Sequence, residues 1–451
     1  MSTIEQALPA DGAAVAAAPT LSVSFYLIWI GQSLSMFGSM LTSFSIGVWL
    51  FQQTGSVLDY VQLMLFSTLP ALLLLPWTGG FADRYNRRNI LIGCEALSLL
   101  CMVVMGYLLW TGSFQPWQLY VVQVALAVGV AFQAPAAYAT ISNLVPKALF
   151  GQASGMFGLT TAMAQIMAPL LAATLLTAIG LHGIIALDVL TFVAALVGLM
   201  LARFPRGGLL LSESSKTARA LAQPVQNLRW AIDYLRARPS LAKVYAYTCV
   251  ATFLSNIVLI LVTPMILSSY SPQVLARITT AGAVGSLVAG MLMIGWGGPK
   301  KWTPWLLGLV AIEGVAISIA GYSKSVAVIC LCAFAVMASA ALLSSCTQII
   351  WRRKVPADGQ GRFSGLQQMV SLALLPLAAL VGGLLANYLF EPALLADGSW
   401  ADAIGSWFGT GKGRGTGFLF FVIGVVAVVV SVLAVLDRRI YRLDAEVDDA
   451  L

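Results

Sequence analysis

Three carboxylates interrupt long apolar runs in this chain: Glu95, Asp188 and Glu313. An aspartate at the centre of a membrane helix costs on the order of 2.5–3.5 kcal/mol. An acid kept at that depth is therefore either paired or performing chemistry. The chemistry open to it is proton exchange, because loss of water disfavours the charged form of a carboxyl. All three acids are candidates to carry a coupling proton. Glu313 lies about eleven residues into its run, close to the midplane by helical rise. Glu95 stands two turns from Arg88 and is expected to pair with the basic segment there. Asp188 is expected near the outer face, close to His182.

A second charged cluster follows Gly79, where Asp83 stands alone among Arg84, Arg87 and Arg88. An acid beside a helix end can lock two helices together. Its expected partner is the amino end of a later helix near Phe363 and Ser364, where exposed amides favour an anion. The alternative for the arginines is that they only fix topology.

The elements that position these groups follow from composition. Of 451 residues, 59% are hydrophobic and only 10% charged, too few to coat a soluble protein of this size. Apolar runs predict twelve membrane helices, over 23–51, 58–82, 89–110, 117–145, 153–179, 184–202, 244–268, 274–297, 303–322, 326–351, 363–389 and 415–436. The fold class is all-α integral membrane. With both termini inside, 21 of the 25 Lys and Arg fall in inner segments, leaving Arg277, Lys324, Lys412 and Arg414 outside. The net charge of +7 thus signals topology, and no nucleic-acid partner is expected.

Residues 1–22 are read as a disordered tail without the basic start of a secretory leader. Two six-helix bundles, 23–203 and 243–437, are expected to flank a linker over 204–242, with 438–451 as a cytoplasmic tail. Within the linker, Leu228, Ala231, Ile232 and Leu235 recur at helical spacing, predicting an amphipathic helix on the cytoplasmic surface.

The halves echo one another. Val145, Pro146, Gly151, Ser154 and Gly155 recur 210 residues later as Val355, Pro356, Gly361, Ser364 and Gly365. Pro169 is answered by Pro376, both expected to kink their helices. Gly79 and Gly80 are answered by Gly297 and Gly298. The shared order argues for a duplicated unit, which suits alternating access around a midplane site.

Residues 79–88 resemble the signature loop G-x-L-A-D-R-x-G-R-R of the major facilitator superfamily, with Phe81 for the leucine and Asn86 for the second glycine. Asn tolerates a left-handed turn, so a tight turn is expected to survive. Within that superfamily the chain is similar to antiporters of the macrolide-efflux and enterobactin-exporter type. That likeness rests on Phe25 to Gln32, Leu187 to Phe192 and Trp351 to Arg362. The Gly-Pro motif such exporters carry in helix 5 is replaced here by Ala168 and Pro169.

The resemblance implies that helices 1, 4, 7 and 10 line a cavity, while 3, 6 and 9 support it from outside. Glu95 and Asp188 are then preferred over Glu313 for the proton. Trp29, Gln32, Gln133, Asn256 and Gln348 become candidate cavity residues. Neutral hydrogen bonders with aromatic faces suit an amphipathic solute, whereas a small anion would need a central base. The alternative is that these amides bond across helix interfaces.

Other chemistries find little support. Residues 409–415 lack the Ser or Thr of a phosphate loop and read as a flexible loop. With His182 the only histidine, neither a metal cluster nor a His-based triad is expected, and no cofactor or catalytic residue is assigned. The six cysteines lie in apolar runs and read as packing residues. The expectation is a monomeric secondary transporter in the cell inner membrane, exporting a small amphipathic molecule in exchange for protons. The alternatives are an importer of the same fold and a passive channel or lipid scramblase.

Overall fold

The computed structural model describes residues 20–146, 149–203, 224–296, 302–356 and 359–437. Among these, twelve helices are long and apolar enough to cross a bilayer. They are α1 (Val23–Thr54), α2 (Val57–Arg84), α3 (Arg87–Trp110), α4 (Pro116–Leu144), α5 (Phe150–Ala178) and α6 (Gly180–Leu201) in the first half. The second half holds α7 (Pro239–Leu267), α8 (Pro272–Trp296), α9 (Trp302–Tyr322), α10 (Val326–Lys354), α11 (Gln360–Leu384) and α12 (Arg414–Leu436). Trp110, Trp117 and Trp407 are exposed at one end of the bundle and Trp77 towards the other, where amphipathic rings sit at membrane interfaces.

Local sequence sets the helix ends. Ser22 accepts from the Phe25 amide, and Ser56 from that of Asp59. Gly55 closes α1 at a φ of 62°, a conformation that favours glycine. Asn86 corrects an expectation: its backbone is extended (φ −61°), and its side chain caps α3 by accepting from the Arg88 amide at 3.0 Å. The turn survives through an N-cap rather than a left-handed residue. Pro169 and Pro376 both lie inside helices, as do Pro135 in α4 and Pro264 in α7.

Helix pairing repeats with a shift of six. In the first half α1 packs on α5 and α6, and α4 on α2 and α3; in the second, α7 packs on α11 and α12, and α10 on α8 and α9. The principal contacts between halves are α5 with α8 and α2 with α11, a pair that the same shift exchanges. Two pseudo-symmetric six-helix bundles result.

The linker helix, Pro224–Arg236, lies at the end of the bundle that also carries the α2–α3 and α10–α11 turns, here the linker end. Its apolar face meets protein. Ala231, Tyr234 and Leu235 are buried in a core with Leu241, Val244, Trp351 and Phe363 of the second half. The Tyr234 hydroxyl donates to the Lys354 carbonyl at 2.6 Å. Burial raises its pKa above the ordinary phenol range, partly offset by the Arg238 guanidinium above its ring.

The loop over 409–415 makes hydrogen bonds to neighbouring segments. Gly409, Gly411 and Gly413 all take positive φ. The Glu391 carboxylate accepts from the amides of Gly413 (3.1 Å) and Thr416 (2.9 Å) at the start of α12. A side-chain anion thus already occupies the helix end where a phosphate would bind.

Candidate functional site

Among the described residues, the halves meet firmly at one end. At the far end Phe51, Val57, Tyr60 and Val61 share one core with Ile257, Leu261, Ala378 and Ala386. Contact there is close enough that a Cβ on Gly383 would stand 2.7 Å from Val61. Thr280 also donates to the Ile166 carbonyl, tying α8 to α5. Towards the linker end the cores are separate, one built on Trp351 and Phe363 and others on Ile28, Ile90, Leu199 and Phe25. A Cβ at Gly151, Gly155, Gly361 or Gly365 would meet nothing within 4 Å.

Between these ends lies a cavity of about 1300 Å³, bounded mainly by α7, α8, α10 and α11 with Gln165 from α5. It runs from Met265 and Ile278 at the far end to Arg352 and Gln360 at the linker end. Asn256 and Gln348 lie on its wall; Trp29, Gln32 and Gln133 do not. Trp29 packs with the Phe25 core, and its Nε1 has no hydrogen-bond partner among the described residues. Sequence reading passed over Ser255, Trp351, Gln367 and Gln368, all on the wall. The doublet Gln367 and Gln368, set in an apolar run, was the available signal.

The missing glutamines are engaged elsewhere. Gln32 and Gln133 both donate to Glu95 Oε1, at 2.7 and 2.8 Å, and Ser35 donates to Oε2 at 3.5 Å. Gln133 also bonds Gln32 at 3.2 Å. Glu95 is therefore paired with amides of α1 and α4, not with the basic loop. The Arg88 guanidinium turns instead to α6, where it donates to the Met200 carbonyl at 2.7 Å.

Asp188 is equally buried, but against α1. The Thr191 hydroxyl donates to its Oδ1 at 3.2 Å, and a Cβ on Gly38 would come within 2.6 Å of that oxygen. The His182 ring bonds the Leu109 carbonyl at the end of α3.

Glu313 differs from both. It is 2% exposed and lines the cavity, although α9 was expected only to support it. Ser255 donates to its Oε1 at 2.5 Å, while Oε2 has no hydrogen-bond partner among the described residues. The side chains of Asp83 and Arg84 lie outside the described residues, so the expected latch has no geometry here. Its proposed target, Phe363, packs against Tyr245 and Trp351 in the second half.

A family model described as Major Facilitator Superfamily matches residues 28–379. The chain belongs to the Major Facilitator Superfamily. Among curated members of that superfamily it is 23% identical to macrolide efflux protein A of Streptococcus pyogenes over 372 residues, covering 81% of this chain and 90% of the relative. It is 25% identical to the uncharacterized MFS-type transporter YfiS of Bacillus subtilis (strain 168), covering 75% and 81%. Among solved facilitator folds, a bacterial homologue of the human lysosomal transporter Spinster, inward-facing and unoccupied, aligns with a TM-score of 0.67. That alignment has 17% identity and covers 92% of this chain and 97% of the other. The nucleoside transporter NupG aligns at 0.66 with 11% identity, covering 91% and 99%. The protein is thus a multi-pass membrane transporter of the facilitator fold.

Proposed function

We propose that this chain is a secondary active exporter of a small amphipathic molecule (a drug, siderophore or secondary metabolite), working by proton antiport with alternating access. The observation that carries the reading is the cavity. It reaches Arg352 and Gln360 at the linker end, lies beneath the core that joins the halves at the far end, and is walled by amides, hydroxyls and apolar side chains, with one buried acid. The basic residues of the short loops assign the linker end and both termini to the cytoplasm. This state then faces inward in the cell inner membrane, ready to load substrate. The relatives named as macrolide efflux proteins favour the outward direction.

Of the three acids, Glu313 is the one in reach of the cavity, so coupling is assigned to it. Glu95 and Asp188 hold α3 and α6 against α1. In the opposite state the linker end closes, and Asp83 at the end of α2 meets the amino end of α11. Gly79, Arg84, Arg87 and Arg88 form the rest of that latch. Unchanged transport and unchanged conformational populations in Asp83→Asn would remove the latch.

The test of function is accumulation of candidate solutes in cells with and without the protein, repeated after the proton gradient is collapsed. Lower accumulation that rises to the control level on collapse is expected. Higher accumulation in cells that carry the protein would mean import, and gradient-independent flux without saturation would mean a channel.

A further inference from the structure

The cavity wall carries carboxamides that are open to a solute. Gln165, Asn256, Gln348, Gln367 and Gln368 all stand on it. Gln165, Gln348 and Gln368 are exposed there, and Asn256 and Gln367 are half-buried. None of the five hydrogen-bonds another described residue. In the first half the reverse holds, because Gln32 and Gln133 are engaged by Glu95. Wall hydroxyls are also engaged: those of Thr248, Thr279 and Thr347 donate to carbonyls of their own helices.

Duplication does not account for these amides. At the offset of 210 that aligns Val145 to Gly155 with Val355 to Gly365, Gln367 and Gln368 correspond to Phe157 and Gly158. Gln165 comes from the first half and the other four from the second, so a solute between them is held from both sides. The volume of about 1300 Å³ exceeds the roughly 300–1,000 Å³ of a drug-sized pocket and leaves room for several polar groups.

Accessible charge is scarce on the same wall. Glu313 is 2% exposed, with its Oε1 bonded to Ser255. Arg352 is exposed, but at the linker-end mouth. A charged group carried past Arg352 would lose water and meet no accessible counter-charge. A peptide group is neutral and offers one donor and one acceptor, which a carboxamide matches with its own acceptor and donors.

We propose that the cavity takes an uncharged amphipathic solute with several amide groups, peptide-like in its chemistry, and that these carboxamides select it. This deepens the export reading and rests on it for the direction of transport.

The test is equilibrium binding to the purified chain in lipid nanodiscs, read by fluorescence anisotropy against empty nanodiscs. Three probes carry the same uncharged coumarin dye: N-acetylated tetra-alanine, tetra-alanine with a free amino group, and a hydrocarbon chain of equal length. The parent should bind the acetylated probe at least about tenfold more tightly than the free amine. Gln348→Leu and Gln368→Leu, made singly, each remove one or two neutral hydrogen bonds and should weaken the acetylated probe by about fivefold. The hydrocarbon probe should stay within about twofold in both variants. Four results each overturn the proposal: no binding of the acetylated probe by the parent, tighter binding of the free amine, undiminished binding in either variant, or equal loss of the acetylated and hydrocarbon probes. Amide-selective binding without gradient-driven export would sink the export reading and leave this site standing. Export of another solute without binding of the acetylated probe would do the reverse.

Discussion

The two halves use the same acid differently. In the first, Glu95 is enclosed by Gln32, Ser35 and Gln133 and binds α1, α3 and α4 into one unit. In the second, Glu313 keeps only Ser255, its other oxygen is buried without a hydrogen-bond partner among the described residues, and the residue lines a cavity of about 1300 Å³. Duplication supplies two equivalent acids. What separates a structural acid from one available for proton exchange is the number of donors its neighbours supply. The surplus donors, Gln32 and Gln133, were themselves the side chains that sequence suggested for the cavity.

The largest effect should come from emptying the complete set. Glu95→Ala leaves the half-buried Gln32 amide and the buried Ser35 hydroxyl without their acceptor, and Gln133 with Gln32 alone. It should destabilise the protein by about 2–4 kcal/mol, read as thermal unfolding in detergent. Glu313→Ala leaves the Ser255 hydroxyl its Ala251 acceptor and should cost less than about 1 kcal/mol. Equal losses would erase the contrast.

Gly38→Ala comes next. Its Cβ would stand 2.3 Å from Thr191 Oγ1 and 2.6 Å from Asp188 Oδ1, forcing α1 away from α6. A loss of about 1–3 kcal/mol is expected in the same melting assay. No loss would mean that the Asp188 contact is loose and that this acid is freer than described.

A transplant sharpens the comparison further. Thr252→Gln places an amide where Gln32 stands in the other half. It should satisfy Glu313 and slow gradient-driven export of the acetylated tetra-alanine probe by about fivefold. Unaltered export would show that donor number does not set availability.

The smallest effect belongs to Ser255→Ala, since that hydroxyl also bonds the Ala251 carbonyl within its own helix. A change of about 0.5–1 kcal/mol in stability and about twofold in gradient-driven export is expected. A loss as large as that of Glu313→Gln would make the serine, not the acid, the coupling group.

Much of the architecture was legible in the sequence because the bilayer leaves few solutions. Backbone polar groups in hydrocarbon must be satisfied within the segment, so apolar runs of spanning length read directly as helices. The acids were equally plain as outliers. Their roles were not, because role depends on which way a helix is turned and on what faces it from other helices. Glu95 was read with Arg88, two turns away on one helix, but its partners lie at positions 32 and 133. Ser255 gave no signal, since a serine in an apolar run is ordinary. The linker's amphipathic pattern was visible, but the pattern is the same whether lipid or Trp351 and Phe363 cover the apolar face. Asn86 shows the same limit at a single turn: a residue type that allows a left-handed backbone served instead as a cap.

The most direct test is uptake of the acetylated tetra-alanine probe into proteoliposomes under an imposed proton gradient, comparing the parent, Glu313→Gln and Glu95→Gln. Gradient-driven uptake should fall by about tenfold or more in Glu313→Gln and by less than about threefold in Glu95→Gln, whose amide still accepts from Gln32 and Gln133. Parental rates in Glu313→Gln, or an equal collapse in both variants, would contradict the assignment of one acid to the cavity and the other to the frame.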